Sequence, residues 1–281
     1  MKAKHILTIA AFAIAAFTSC KKTNDNPVET EQEITIQSSK DQAVTDYLLE
    51  DANDVLDEAT VDNNLMGGRV TNATSTNRTL SCATITVTPL SGFPKTITID
   101  FGTAGCTSPN GVVRSGKIIV TLSDSLRRPG SVATMTFDNY YVQGYKKEGT
   151  ITWRNTTVPP RRSWERTVTN GKITAPNGRF WLHSGVKNVT QIEGNGTPRI
   201  LLDDIFEITG NSSVTNSNGV TRTATVITTL RKKVICPNID RGTIQFVGPN
   251  HTVLMDYGNG TCDRQATISV DGGTPVTILL P

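Results

Sequence analysis

The amino-acid sequence predicts an all-β protein, an antiparallel meander forming a sandwich or a curled, partly open barrel, with one N-terminal amphipathic helix. Three observations predict it. Beyond Thr71, polar and apolar residues alternate with period two, as in Thr84-Ile85-Thr86-Val87, Thr96-Ile97-Thr98-Ile99, Thr134-Met135-Thr136-Phe137 and Thr223-Ala224-Thr225-Val226-Ile227. That period suits strands with one buried face. A glycine-led motif recurs at expected strand starts, in Gly116-Lys117-Ile118, Gly149-Thr150-Ile151, Gly171-Lys172-Ile173 and Gly242-Thr243-Ile244, while Asn110-Gly111, Asn170-Gly171, Asn177-Gly178, Asn218-Gly219 and Asp271-Gly272 offer five hairpin turns. Composition agrees: roughly one residue in seven is Thr, the 36% hydrophobic content allows a sizeable core, and 19% charged residues are too few for a coiled coil.

Taken in order, the chain opens with Lys2 and Lys4, an apolar run from Ile6 to Phe17, and then Thr18-Ser19-Cys20. The run is shorter than the roughly twenty residues of a spanning helix and ends in small residues, which predicts a signal peptide over 1–19. Its close resembles the lipobox of bacterial lipoproteins, in which the cysteine becomes the first mature residue and carries the acyl chains. The resemblance implies lipidation (diacylglyceryl and palmitate-type chains) at Cys20, and Lys21 in place of Asp favours the outer membrane over the inner. Which face of that membrane the body occupies stays open.

Residues 20–40 are polar and aperiodic and read as a flexible tether. Over 41–66 the positions Val44, Leu48, Ala52, Val55, Leu56 and Ala59 repeat at helical spacing before Gly67-Gly68, predicting an acidic helix. Its Asp51, Asn53, Asp54 and Asp57 lack the central Gly and closing Glu of a calcium loop and read as a solvated face. The β-rich body is expected over 71–281.

Besides Cys20 the chain holds Cys82, Cys106, Cys236 and Cys262, an even number in an exported protein. Ile97-Thr98-Ile99-Asp100-Phe101-Gly102 leading to Cys106 aligns without a gap with Val253-Leu254-Met255-Asp256-Tyr257-Gly258 leading to Cys262. A weak internal repeat over 82–120 and 236–281 follows, so that each unit closes its own bridge, Cys82–Cys106 and Cys236–Cys262. A four-thiolate zinc site is the rival, but its CxxC spacing is absent. No metal or other cofactor is expected.

Chemistry is sparse. HExxH, GxSxG and Walker patterns are missing. In Asp100-Phe101-Gly102 and Asp256-Tyr257-Gly258 the Asp is expected to cap a turn. His183 and His251 stand without a nucleophile at a telling spacing. Asp100, Asp138, Asp203, Asp204, Glu207, Asp256 and Asp263 include possible glycosidase pairs, with Asp100 and Asp256 related by the repeat.

The middle of the chain is the most distinctive stretch. It gathers Phe137, Tyr140, Tyr141, Tyr145, Trp153, Trp164, Phe180 and Trp181 among Lys146, Lys147, Arg154, Arg161, Arg162, Arg166 and Arg179. Aromatic faces stack on sugars and guanidinium groups grip anions, which makes Trp153, Arg162, Trp164, Arg166 and Trp181 the candidate ligand-binding residues. The alternative is aromatics in the core and cations in solvent. Residues 21–62 hold 3 basic and 12 acidic side chains, a net −9, against 23 and 13 over 63–281, a net +10. The body is cationic, and its own acidic helix is a candidate to dock on it.

The lipobox together with Phe93-Pro94-Lys95-Thr96-Ile97-Thr98-Ile99-Asp100-Phe101-Gly102, Arg114-Ser115-Gly116-Lys117-Ile118-Ile119-Val120, Phe137-Asp138-Asn139-Tyr140 and Asp256-Tyr257-Gly258-Asn259-Gly260-Thr261-Cys262-Asp263 resembles a lipoprotein family of Bacteroidetes that carries no established activity. The resemblance supports location and fold. Asp124-Ser125-Leu126 also matches the short O-glycosylation pattern of such bacteria, or is an ordinary turn. The expectation is a non-enzymatic, lipid-anchored protein of the outer membrane that binds a glycan or another anionic envelope component, or serves structurally, with no nucleic-acid partner. A carrier sheltering a lipid or apolar ligand in a curled sheet is the alternative, and a glycan-cleaving enzyme the third reading. Binding predicts exposed, coplanar Trp side chains, a carrier an apolar groove, and an enzyme two facing carboxylates in a cleft.

Overall fold

The structure, a computed structural model, describes residues 29–67 and 80–281. The expected signal peptide, Cys20 and the start of the expected tether lie outside the described residues. The first element is a helix, α1 (Glu31–Asp62). Thr30 starts it: its hydroxyl accepts from the Glu33 backbone N–H at 3.2 Å, and the Glu33 carboxylate accepts from the Thr30 N–H at 2.8 Å. This reciprocal box satisfies two N–H groups that have no partner within the helix, and Glu31 and Glu33 suit the positive end of its dipole. Residues 31–40 are therefore helix and not tether. They show no apolar stripe because the side they bury is polar, with Thr35, Ser38 and Ser39 inside.

Fourteen strands follow: β1 (Thr84–Thr88), β2 (Lys95–Asp100), β3 (Cys106–Thr107), β4 (Val113–Leu122), β5 (Val132–Val142), β6 (Tyr145–Asn155), β7 (Ser163–Thr174), β8 (Phe180–Glu193), β9 (Ile205–Asn216), β10 (Thr221–Lys233), β11 (Arg241–Val247), β12 (Thr252–Asn259), β13 (Gln265–Val270) and β14 (Val276–Leu279). They form one antiparallel sheet in chain order, with β3 paired beside β4 and off the main path. Described residues of β1 and β14 do not pair with each other, so the sheet is not a closed barrel. Alternation along each strand delivers one face to a common core, as in β2, where Ile97 and Ile99 are fully buried between partly exposed neighbours.

The sheet curls around α1. Within Asp46–Asp54, about 12 Å of helix, side chains meet partners from β4, β5, β7, β10 and β12: Tyr257 donates to Asp46 at 2.9 Å, Arg166 to Glu50 at 2.7 Å, Arg114 and Tyr140 to Asp51, and Lys232 lies 3.7 Å from Asp54. Laid flat, β4 and β12 would stand roughly 38 Å apart at the usual strand spacing. Only a curled sheet brings both to one short stretch of a single helix.

The curl is made at glycines. At Gly116 in β4 the register against β5 slips between Ser115 and Lys117, φ is +78°, and a Cβ would stand 2.0 Å from the Asn139 carbonyl oxygen. Gly149 in β6 repeats this, with φ +109° and the Asn170 carbonyl 2.6 Å from the missing Cβ. Such bulges bend a strand and raise its twist. The motifs led by Gly116, Gly149 and Gly171 thus lie inside strands and not after turns, whereas Gly242 does stand at the start of β11 after a turn, and Asn170-Gly171 is part of β7 and no hairpin. The other four pairs do fall at turns.

Both disulfides join the expected cysteines, Cys82–Cys106 and Cys236–Cys262. The repeat is visible in the turns as well: Asp100 accepts from the Gly102 N–H and Asp256 from the Gly258 N–H, each at 2.8 Å. Asp100 also pairs with Lys117 at 2.9 Å, so the hydrogen-bond and ion-pair partners of Asp100 and Asp256 are turn amides and a lysine and not each other.

Candidate functional site

The acidic side of α1 is buried and not solvated. Five cations of the β body, four on strands and Arg179 in the β7–β8 connection, meet it: Arg114 on Asp51, Arg166 on Glu50, Arg179 on Asp41 at 2.6 Å, Arg222 on Glu31 at 3.2 Å and Lys232 on Asp54. The opposite charges of the two parts of the chain are the contact between them. Such pairs repay their lost hydration only when well hydrogen-bonded, and Arg114 meets this with a bidentate grip on Asp51 plus a bond to Ser108 at 2.6 Å. Lys147 is left without a hydrogen-bond partner, and burial, reinforced by Arg166, pushes its amine down to about 7.

This interior absorbs part of the expected binding set. Trp181 is wholly buried and donates to Thr45 at 3.0 Å, and Arg166 is 1% exposed between Glu50 and the Trp153 ring, 5.1 Å from its centroid. Trp153 and Trp164 are 5% and 8% exposed. No coplanar surface platform of the three exists. The aromatics occupy the concave face, as the core alternative held, but Arg166 and Lys147 join them there because α1 supplies the counter-charge. Arg154 and Arg161 remain exposed, while half-buried Arg162 reaches Gln191 at 3.4 Å. His183 is buried in β8 and its imidazole is driven down to about 3 by burial, whereas half-buried His251 pairs with Asp271 at 2.6 Å.

Trp153 and Trp164 nevertheless meet in one cleft, on the second half of α1. Its walls are Trp153, Trp164, Phe206, Leu56, Leu126 and Val189, and its polar groups are Asn53, Asp57, Arg127, Gln191 and Asp204. The space between the walls, open solvent at the mouth included, is about 420 Å³, but as it stands the cleft has room for about one water. Trp164 is held edge-on to Phe206 at 6.4 Å and donates its indole N–H to the Leu126 carbonyl at 3.4 Å. The β4–β5 loop closes one side because the N–H groups of Leu126 and Arg127 donate to the carbonyls of Leu65 and Met66 at 3.0 and 2.9 Å.

Two carboxyls share this cleft. Asp204 is 2% exposed and accepts from Gln191 at 2.7 Å; burial pushes it up to about 7 against the pull of Arg127. Asp57 accepts a bond from Asn53 at 3.3 Å and is pushed up to about 8, by burial first and by the Asp204 charge second. Neither closes a salt bridge within 4.0 Å, and Arg127 instead donates to the Pro198 carbonyl at 3.0 Å. Its own guanidinium is lowered by burial and by Arg162. Raised carboxyls among aromatic walls are a mark of functional sites.

The sequence reading named Trp153, Trp164 and Asp204 without joining them, and it placed Asp57 in solvent. Arg127, Gln191 and Phe206 carried no signal beyond their residue type. Among the described residues, no group of three His, Cys, Asp or Glu is arranged to hold a metal, and no helix is long and apolar enough to cross a membrane. Compared with protein-family models, curated proteins and solved structures, the chain matches none.

Proposed function

We propose that this is a lipid-anchored binding protein of the bacterial outer membrane, held by acyl chains on Cys20, whose β body takes a small ring-bearing ligand such as one glycan unit in the cleft on α1. The observation that carries the reading is the meeting of Trp153, Trp164 and Phe206 with Asp57, Asp204, Gln191 and Arg127 in one recess. Apolar walls with a few convergent polar groups are the usual make-up of a small-molecule site. A ring enters only with movement of the lining side chains, because the unopened cleft has room for about one water. An extended anionic polymer is a poorer fit, because Arg166 and Arg179 are taken up by Glu50 and Asp41 of α1, although Arg154 and Arg161 stay exposed. An apolar carrier is poorer too, because α1 fills the concave face of the sheet.

Tryptophan fluorescence of the full chain in detergent, titrated with envelope glycan fragments, tests the reading. Saturable change that is lost in Trp164→Ala but kept in a variant of exposed Arg154 supports it, and an equal response in both variants sinks it. Glycan cleavage is a second reading, favoured by the two carboxyls in one cleft. It expects release of reducing ends that Asp204→Asn abolishes, and intact glycan after long incubation rules it out.

A further inference from the structure

We propose that the ligand of this cleft carries a cationic amine on a ring-sized body. The inference rests on the ligand-binding reading above and adds the charge of what binds. Two carboxyls, Asp57 and Asp204, and one guanidinium, Arg127, line the recess; of the charges just outside it, Arg162 offsets Asp203 and Asp54 and Glu50 are paired with Lys232 and Arg166, so full ionisation leaves one negative charge uncancelled. Arg127 cannot settle both: its Nη1 is turned to the Pro198 carbonyl, and no cation lies within 4.0 Å of either carboxyl. The neighbouring donors are neutral amides. Gln191 occupies one oxygen of Asp204 and Asn53 one oxygen of Asp57, which leaves each carboxyl an acceptor oxygen.

Without a ligand the cheapest relief is to hold protons, which is the state the raised carboxyls describe. An ammonium group supplies the same relief with better geometry, since its N–H groups can be divided between the two acceptors while its charge replaces the proton. The walls support this choice. Phe206 and Trp164 meet edge to face and leave aromatic surface toward the recess, which attracts a cation as well as an apolar ring. An anionic ligand would instead meet two carboxyls with a single guanidinium already engaged elsewhere.

Three ring compounds of one size separate charge from shape: cyclohexylamine, cyclohexanol and cyclohexanecarboxylate, titrated against tryptophan fluorescence of the full chain in detergent. The amine should bind at least tenfold more tightly than the other two. Its binding should tighten at least tenfold from pH 6 to pH 9 as the carboxyls ionise while the amine keeps its charge. Asp57→Asn and Asp204→Asn, each checked for native circular dichroism, should both weaken it at least tenfold and flatten that pH profile. Equal binding of the alcohol, or unchanged amine binding in both variants, overturns the amine inference and leaves the ligand-binding reading standing. If none of the three binds while a glycan fragment does, the amine inference alone fails. If nothing binds, both fail.

Discussion

Arg114 and Asp51 show what the charged interior means for single residues. Both are more than nine-tenths buried and bonded to each other, so removing one strands the other without water. Asp51→Leu should cost about 3–5 kcal/mol, whereas the double change with Arg114→Met should recover most of that loss, because two apolar groups leave no orphan charge; urea unfolding of the three variants measures this. Asp57 gives the pH counterpart. Its folded value, about 8, lies above that of an ordinary carboxyl, so the folded chain keeps a proton that the unfolded chain releases above pH 4. Its contribution is intact below that pH and is lost as pH rises through 8. Asp57→Asn should therefore lose less stability than the parent between pH 5 and pH 9, by about 2 kcal/mol after allowance for its partial exposure, as thermal melts across that range would show. An identical pH slope in parent and variant would remove the buried-proton account. Such pairings were hidden in the sequence. Arg166 is legible as a cation among aromatics, but its partner Glu50 lies 116 positions away, and Asp57 and Asp204 share no motif spacing at all.

At the scale of elements, strands were legible because period two is written directly into their residues. Bulges were not, since Asn-Gly supplies the same unusual backbone angles to a bulge as to a turn. Asn170, with φ +51°, bends β7, whereas Gly178, with φ +84°, turns the chain between β7 and β8. The start of α1 was missed for a different reason: its buried side, Thr35, Ser38, Ser39 and Gln42, has no apolar period to detect. The two glycine roles differ in consequence. At Gly111, with φ +80°, an added Cβ meets nothing within 4 Å, so Ala costs only the backbone strain, about 1 kcal/mol. At Gly116 the same methyl collides with the Asn139 backbone as well, so Ala should cost at least twice as much. Denaturation midpoints of the two variants compare them, and equal losses would show that the bulge relaxes freely.

For the whole molecule, sequential neighbours make nearly every strand contact local, while α1 ties distant strands together through hydrogen bonds to partners as far as 211 positions apart. The disulfides secure the ends of this meander, separated by 24 and 26 residues, and each loop closure is worth roughly 3 kcal/mol in the chain-entropy model. Removing both cysteines of one pair should lower stability by about that amount and leave the other pair oxidised, which thiol counting under denaturing conditions reads directly. On the proposed attachment of acyl chains at Cys20, replacing that residue with Ser should move the protein from the membrane to the soluble fraction; retention after carbonate washing would refute the lipid attachment. The length of α1 then acquires a spatial meaning. Its first turn lies against the β11–β12 turn, where Gly248 and His251 meet Glu31, and this is the end of the helix nearest in sequence to Cys20. Asp57 stands 26 residues further along, about 39 Å at the rise of a helix. On the proposed attachment at Cys20, the cleft lies at the far end of α1 from the anchor, a separation along the helix greater than the thickness of a bilayer's hydrocarbon, and the ligand expected there is one dissolved in water and not one held in the lipid.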